Sequence, residues 1–318
     1  MDNDTQPRTY AGYKIRNAEV LLAMFYLQER LSKRQPCTRE EIERLRQQAL
    51  DAIQTDDACW TAYTVLGQCE DRLGNYQKAL EAFEHALRLA PDDIAATFEM
   101  GCTFQELQQW EKALEYFERV YKSCVESSGR EDWNALSPDV LGVPEETFRR
   151  GMEMGRALFR NYAMAALTNM GTVFDCKHDY PSAIAAYDKM LALVPNHFQA
   201  LYKKGLSTKW QGRTEEALPL FQAARKLDPE HVDACLETAV ALQTLNRDEE
   251  AIQAYEDLMR LAPDNEWGYF GYAALAYSRE DYTLAKAYFD ACLRINPENK
   301  DAQEWVKYCK DALNEEPV

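Results

Sequence analysis

The sequence predicts an all-α fold built from repeated helical hairpins, and three observations lead to that prediction. The chain has 318 residues, more than one hydrophobic core usually supports, so two domains or a repeat array is expected. It contains 13 Gly and 12 Pro, too few for a loop-rich β architecture. Six segments share one pattern of small and aromatic residues, and such periodic self-similarity is typical of repeat proteins.

The repeat pattern is centred on an alanine. An aromatic residue follows this alanine by four positions, and a Gly or Ala precedes it by twelve. In five of the six segments a proline follows the alanine by twelve positions. Successive alanines are separated by 34, 70, 34, 34 and 34 residues. The six pairs of alanine and aromatic are Ala79 and Phe83, Ala113 and Phe117, Ala183 and Tyr187, Ala217 and Phe221, Ala251 and Tyr255, and Ala285 and Phe289.

Each position in this pattern has a physical role. The two small residues allow two antiparallel helices to approach closely, and the aromatic is expected to fill the space between that pair and the next repeat. The proline ends the second helix. Because a single helical hairpin cannot bury its apolar face alone, neighbouring hairpins are expected to stack on one another.

This pattern resembles that of the tetratricopeptide repeat (TPR) family, whose period is also 34 residues. The resemblance implies a right-handed α-α superhelix, or TPR solenoid, of about six helical hairpins with N- and C-terminal capping helices. The predicted repeats one to six are 60–93, 94–127, 164–197, 198–231, 232–265 and 266–299.

The predicted domain organisation follows from these repeats. The N-terminal part is expected to be a polar tail and two capping helices, of which the second begins at a capping box, Thr38 to Glu41. The insertion between repeats two and three begins with loop composition, and from about Pro144 its apolar residues keep an unbroken helical period into repeat three. The predicted divisions are 1–59 (tail and capping helices), 60–127 (repeats one and two), 128–163 (insertion), 164–299 (repeats three to six) and 300–318 (capping helix and acidic tail).

Charge and cysteine content narrow the function classes. The chain has 36 Lys and Arg against 53 Asp and Glu, a net charge of −17, which repels phosphate backbones and therefore predicts no nucleic-acid partner. The apolar stretch Ala18–Leu27 is too short to cross a bilayer, so no membrane insertion is expected. Nine cysteines without a C-x-x-C pair predict buried thiols in a reducing compartment, and hence a cytoplasmic protein.

The sequence offers no catalytic or metal-binding motif. The patterns of P-loops, of Ser hydrolases and of zinc proteases are all missing, so we predict that the protein is not an enzyme and needs no cofactor. His197 and His231 occupy equivalent turns of successive repeats. They are predicted to be solvent-facing turn residues rather than metal ligands, because no third ligand is fixed nearby.

The TPR resemblance implies that the first helix of each repeat lines a concave groove in which protein partners bind. In the first three repeats the corresponding residues are mostly small and polar, such as Thr61, Thr64 and Gln68, whereas repeats four to six supply large apolar residues. The alternative interpretation is that these rings only pack against one another. The predicted partner-binding residues are Phe98, Tyr202, Leu206, Trp210, Leu236, Val240, Trp267, Phe270 and Tyr277.

These features predict a non-catalytic interaction scaffold or chaperone-like adaptor. Its expected ligand is an apolar or aromatic peptide segment in the groove of repeats four to six, because Tyr and Trp are favoured anchors of protein interfaces. A carboxylate clamp, in which Lys and Asn of one first helix hold a peptide C-terminus, is disfavoured because no repeat has both residues at the corresponding positions. The alternative function is a structural protein that forms a homo-oligomer through the same surface.

Overall fold

The computed structural model describes residues 8–10, 13–15, 38–128 and 145–315. These residues form fourteen helices, which confirms the predicted all-α class, and one small antiparallel strand pair, β1 (Arg8–Tyr10) and β2 (Tyr13–Ile15). The strand pair lies in the segment predicted to be a tail. The predicted helix at Ala18–Leu27, nearly all of the insertion loop and the last three residues lie outside the described residues. The chain divides into two compact units, Met1–Val173 and Phe174–Val318.

The first unit begins with a capping helix. The predicted capping box is confirmed, since the Glu41 N–H donates to Thr38 Oγ1 at 3.2 Å and the Thr38 N–H donates to Glu41 Oε2 at 2.9 Å. Arg46 on this helix donates to Glu70, which is buried on the next helix. The helices of this unit are α1 (Arg39–Thr55), α2 (Trp60–Arg72), α3 (Tyr76–Leu89), α4 (Ile94–Glu106), α5 (Trp110–Ser128) and nearly all of α6 (Glu145–Cys176).

Helix α6 is a single helix of 32 residues, as the unbroken apolar period from Pro144 predicts. It begins with Glu145 and Glu146, whose negative charges favour a helix N-terminus. It extends well beyond the length of the other first helices, such as the 13-residue α8.

The second unit continues the series of hairpins and ends in a cap. Val306 and Cys309 of the last helix are buried against Ala285 and Phe289 of the preceding hairpin, so the last helix closes the apolar core. The helices of this unit are α7 (Tyr180–Leu193), α8 (Phe198–Trp210), α9 (Thr214–Leu227), α10 (Val232–Thr244), α11 (Asp248–Leu261), α12 (Glu266–Ser278), α13 (Tyr282–Ile295) and α14 (Lys300–Glu315).

The repeat positions lie at the centre of both units. All six alanines on which the pattern is aligned are 0% exposed, and the six aromatics are at most 1% exposed. The small residue on the first helix faces the aromatic ring of the same hairpin. A Cβ added to Gly67 would lie 2.5 Å from the Phe83 ring, and one added to Gly205 would lie 2.6 Å from the Phe221 ring. The aromatic therefore fills space within its own hairpin, a contact that the sequence analysis did not include.

One further glycine makes a different contact. A Cβ on Gly271 would lie 2.2 Å from Cζ of Tyr255, which belongs to the preceding hairpin. The Tyr255 hydroxyl donates to Gln243 Oε1 at 2.6 Å. Repeat alignment selects Ala273 as the small residue of this helix and gives no reason for Gly271. The reason is close packing, because any residue with a Cβ at this position would overlap the Tyr255 ring.

We predict that Gly205→Ala lowers stability. The added methyl group would overlap the enclosed Phe221 ring, and overpacking of this kind costs about 1–3 kcal/mol, against a gain of about 1 kcal/mol in helix propensity. The free energy of unfolding, measured by urea denaturation, should therefore fall. The same substitution should cost less in a Phe221→Leu background, and an equal cost in both backgrounds would contradict the assigned contact.

Candidate partner-binding surface

The nine predicted partner-binding residues differ in exposure and position. Phe98 lies in the first unit and the other eight lie in the second. Trp210 is 50% exposed and Trp267 is 47% exposed, whereas the remaining seven residues are half-buried. The second unit therefore presents two large apolar rings to solvent, and its other six predicted residues are partly accessible.

In the first unit the predicted polar lining is wrong. Thr61, Thr64 and Gln68 are buried rather than open. The Thr64 hydroxyl donates to the Asp93 carboxylate at 2.9 Å, and the Gln68 amide donates to Glu99 at 2.9 Å. These side chains therefore join α2 to the beginning and middle of α4.

Phe98 is also held by packing. Its ring centroid lies 5.8 Å from that of Phe117 and 5.7 Å from that of Tyr162, which contacts it edge-on. Because Phe98 is held by these ring contacts and is the single one of the nine predicted residues in the first unit, we restrict the candidate surface to the second unit. We call the exposed face formed by the first helices α8, α10 and α12 the aromatic face.

At the α8 end of the aromatic face, Tyr202 and Leu206 pack partly against the core shared by α9 to α11. The Tyr202 ring lies 5.9 Å from Phe198 and 5.3 Å from His231. Desolvation, together with the charges of Asp233 and Glu237, raises the pKa of Tyr202 to about 12. Its hydroxyl therefore stays protonated at neutral pH and remains able to donate a hydrogen bond.

At the α12 end, the aromatic face is supported from beneath. Phe270 contacts Trp267 edge-on at 5.8 Å and the buried Phe289 at 5.3 Å. Tyr277 contacts Trp305 of the capping helix edge-on, with 4.9 Å between ring centroids. The sequence predicts Trp305 only as part of the C-terminal capping helix. Its contribution to the aromatic face could not be predicted because it depends on how α14 packs.

The neighbourhood of Trp210 includes a residue from outside the first helices. Its ring centroid lies 5.8 Å from that of Tyr180, the first residue of α7. Tyr180 was not among the predicted residues, because the repeat alignment places it on a second helix. It partly supports Trp210, which remains half exposed.

The histidine prediction is wrong in part. His197 and His231 are half-buried N-caps, and Nδ1 of each accepts a hydrogen bond at 3.2 Å, from the N–H of Ala200 and of Ala234 respectively. Asn265 caps α12 from the equivalent turn. Asx residues in the equivalent turns of other repeats were the signal that these positions are caps.

The charged residues of the aromatic face are unevenly distributed. Helix α8 carries three lysines and no acidic residue, whereas α10 and α12 carry three acidic residues and no Lys or Arg. Lys209 forms an ion pair with Glu237, and both side chains are mostly buried. Lys204 contacts Asp188 at 2.6 Å. Two of the three lysines are therefore neutralised by carboxylates of the chain itself.

A polar network lies where α6, α7 and α8 meet. Asp175 accepts a hydrogen bond from the Tyr187 hydroxyl at 2.9 Å and another from the Ser207 hydroxyl at 2.6 Å. Desolvation raises the pKa of Asp175 above its usual 3.8, and the two hydrogen bonds offset that effect in part. This carboxylate links three helices, and its burial is unfavourable to the charged form.

The described residues give no indication of a metal or redox site. They include no group of three or more His, Cys, Asp or Glu arranged to hold a metal ion. Of the eight cysteines they include, seven are buried, and burial raises the pKa of Cys124 and of Cys292 to about 11. Cys176 is exposed, so the prediction of buried thiols is wrong there. Across the described ranges, every helix is too short or too polar to span a bilayer.

Comparison with protein families gives three matches. Residues 61–126 and 211–270 each match a family described as tetratricopeptide repeat, and residues 269–318 match one described as Fis1 C-terminal tetratricopeptide repeat. Among curated proteins, the general transcriptional corepressor trfA of Dictyostelium discoideum is 38% identical over 71 residues. Protein FlbA of Caulobacter vibrioides is 25% identical over 180 residues. These matches cover 22% and 56% of the chain, which spans 5% and 30% of the respective relatives.

Solved structures share the fold at low sequence identity. A TPR repeat-containing protein from Cytophaga hutchinsonii aligns with a TM-score of 0.63 at 16% identity, covering 90% of this chain and 99% of that one. Pseudomonas aeruginosa pilF aligns with a TM-score of 0.53 at 19% identity, covering 80% and 98%. YrrB, a TPR protein with an unusual peptide-binding site, aligns at 0.52 and 16% identity, covering 72% and 99%. These likenesses show the fold.

We predict that Asp175→Asn changes how stability depends on pH. Because the folded-state pKa is raised, the native protein binds a proton more tightly than the unfolded chain, and this group's contribution becomes less favourable as pH rises through the folded pKa. The difference in unfolding free energy between variant and wild type should therefore increase from acidic to neutral pH. Urea denaturation at a series of pH values measures it.

Asp257→Asn is the matched control. Although desolvation opposes it, Arg225 lowers the pKa of Asp257, so this carboxylate stabilises the native state at neutral pH and loses that effect as pH falls. Its variant should show the opposite trend. Equal pH trends in the two variants would contradict the assignment of Asp175 as a carboxylate that is costly to ionise.

Proposed function

Because the chain belongs to the tetratricopeptide repeat family, we propose that it is a non-catalytic scaffold or chaperone-like adaptor that binds an apolar or aromatic peptide segment on the aromatic face. The TPR fold itself indicates a protein–protein interaction scaffold. The proposal adds a location, the first helices α8, α10 and α12, which correspond to repeats four to six. It also adds a ligand class, a peptide segment with large apolar side chains.

The observation that carries the proposal is the exposure of Trp210 and Trp267. Each of these residues keeps about half of its surface accessible to solvent. Exposed Trp side chains that lie among apolar neighbours are frequent energetic anchors of interfaces. YrrB, a TPR protein with an unusual peptide-binding site, offers a precedent for peptide binding by this architecture.

The packing beneath the aromatic face supports a role in binding. Phe270 rests on Phe289, and Tyr277 on Trp305, so the partly exposed rings are held in place before any ligand arrives. A rigid aromatic surface loses little conformational entropy on binding. These ring contacts are also what the alternative interpretation, simple packing, predicts. They are compatible with binding as well, because they fix the rings in position.

The remaining parts of the proposal rest on sequence. We propose that the protein is cytoplasmic, that it does not bind nucleic acid and that it has no catalytic activity. The net charge of −17 disfavours binding to phosphate backbones. Among the described residues no carboxylate is nominated as a catalytic group by its pKa alone, because the raised pKa of Asp175 is explained by desolvation on burial.

The alternative function, a homo-oligomer formed through the same face, predicts a different outcome in a simple measurement. Size-exclusion chromatography with light scattering gives the mass of the particle in solution. A monomer of 36.6 kDa favours the scaffold. A dimer that dissociates on Trp267→Ala would favour the oligomer, because the face would then be covered by a second copy.

We predict that Trp210→Ala and Trp267→Ala each weaken partner capture by about 2 kcal/mol or more, the loss typical of an interface anchor. The measurement is affinity capture of partners from the source cell, quantified against wild type. Because both rings are half exposed, the helical circular-dichroism signal should be nearly unchanged.

Leu227→Ala is the matched control, since Leu227 is a large apolar residue that is 43% exposed at the end of a second helix. It should leave capture unchanged. Capture that survives both tryptophan substitutions would rule out the aromatic face as the binding surface.

A further inference from the structure

We propose that the segment bound on the aromatic face carries a cationic side chain, Lys or Arg, next to its apolar residues, and that Asp233 receives this cation beside Tyr202. The inference rests on the proposed function, because it assigns a charge to the same ligand. The proposed ligand is a basic and apolar peptide segment of another protein.

The charge of the helices that form the aromatic face favours a cationic ligand. The acidic residues of α10 and α12 are Asp233, Glu237 and Glu266, and neither helix has a Lys or Arg to oppose them. Glu266 accepts a hydrogen bond from Asn299 of the capping turn at 3.2 Å and is partly buried there. The two carboxylates left on the central helix α10 are one turn apart, so they lie on the same side of it.

The lysines of α8 do not neutralise both carboxylates of α10. Lys209 forms its ion pair with Glu237. Lys204 contacts Asp188 of α7, and the charge of Lys203 acts on Asp175 of α6. Lys209 therefore neutralises one of the two carboxylates of α10, and one negative charge remains.

The remaining charge is on Asp233. This side chain is exposed in the first turn of α10 and, within the described ranges, has no hydrogen-bond or ion-pair partner. Its charge acts on the Tyr202 hydroxyl, as does that of Glu237. The Tyr202 ring lies 5.3 Å from that of His231, the N-cap of α10, and Asp233 follows this cap by two residues, so the carboxylate is at the end of α10 that Tyr202 contacts.

Ligands of different charge would differ in how favourably they cover Asp233. An apolar ligand that covered the face would remove water from Asp233 and leave its charge without compensation, which is unfavourable. An acidic ligand would add repulsion to that cost. A Lys or Arg side chain would neutralise the charge, place its aliphatic stem on the apolar residues and contact an aromatic ring. The net charge of −17 would also attract such a segment over a distance.

The test uses the full chain and a library of short randomised peptides with blocked ends. Bound sequences should be enriched in Lys or Arg next to a large apolar residue. For the best arginine-containing peptide, replacement of that arginine by citrulline, which keeps the shape and removes the charge, should weaken binding by about threefold or more, as expected for one partly exposed ion pair.

Asp233→Asn should weaken the arginine peptide and abolish its advantage over the citrulline peptide. Asp233→Lys should reverse that preference by like-charge repulsion. The matched control is Glu215→Gln, which removes an exposed acid from the first turn of the second helix α9 and should leave both affinities unchanged.

The outcomes separate this inference from the proposed function. Enrichment of apolar residues without basic ones, or equal binding of the arginine and citrulline peptides, would overturn the charge assignment and leave the aromatic face as a peptide site. If no peptide binds in a manner that depends on Trp267, the proposed function itself fails. Loss of the arginine preference in Asp233→Asn and its retention in Glu215→Gln would support the inference.

Discussion

The fold depends on one contact that recurs in three of the hairpins: the ring of an aromatic on the second helix lies directly on a glycine of the first. The ring comes so close that a Cβ on the glycine would lie 2.5 to 2.7 Å from it. This contact sets the distance between the two helices. It also turns the opposite side of each first helix outward, where the aromatic face forms.

The aromatic face results from two requirements that act on the same helices. The first helix of each hairpin must hold a small residue against the buried ring, and its outer side is then free to vary. In α8 and α12 the variable positions hold Trp210 and Trp267, and the neighbouring hairpin or cap supports the residues around them. Support from below leaves large rings accessible without making them mobile.

Much of the fold could be predicted from sequence, because small and aromatic residues at these regular spacings are typical of stacked helical hairpins. The capping box at Thr38 and the long helix to Cys176 also follow from local rules. Burial of Thr64 and Gln68 could not be predicted, since these side chains bond to residues about thirty positions away, Asp93 and Glu99. The role of Trp305 likewise depends on a tertiary contact, the one with Tyr277.

The tyrosines at the aromatic position give the array an order. The Tyr187 hydroxyl reaches Asp175 and that of Tyr255 reaches Gln243, and Tyr255 also needs Gly271 on the following helix. Both hydroxyls find their partner on the first helix of the same hairpin, so those two contacts move with the hairpin. The contact with Gly271 crosses to the next hairpin, where a larger residue would overlap the Tyr255 ring. The hairpins of this chain are therefore not fully interchangeable modules. Exchange of the hairpin that contains Gly271 during evolution would have to preserve a glycine at that position.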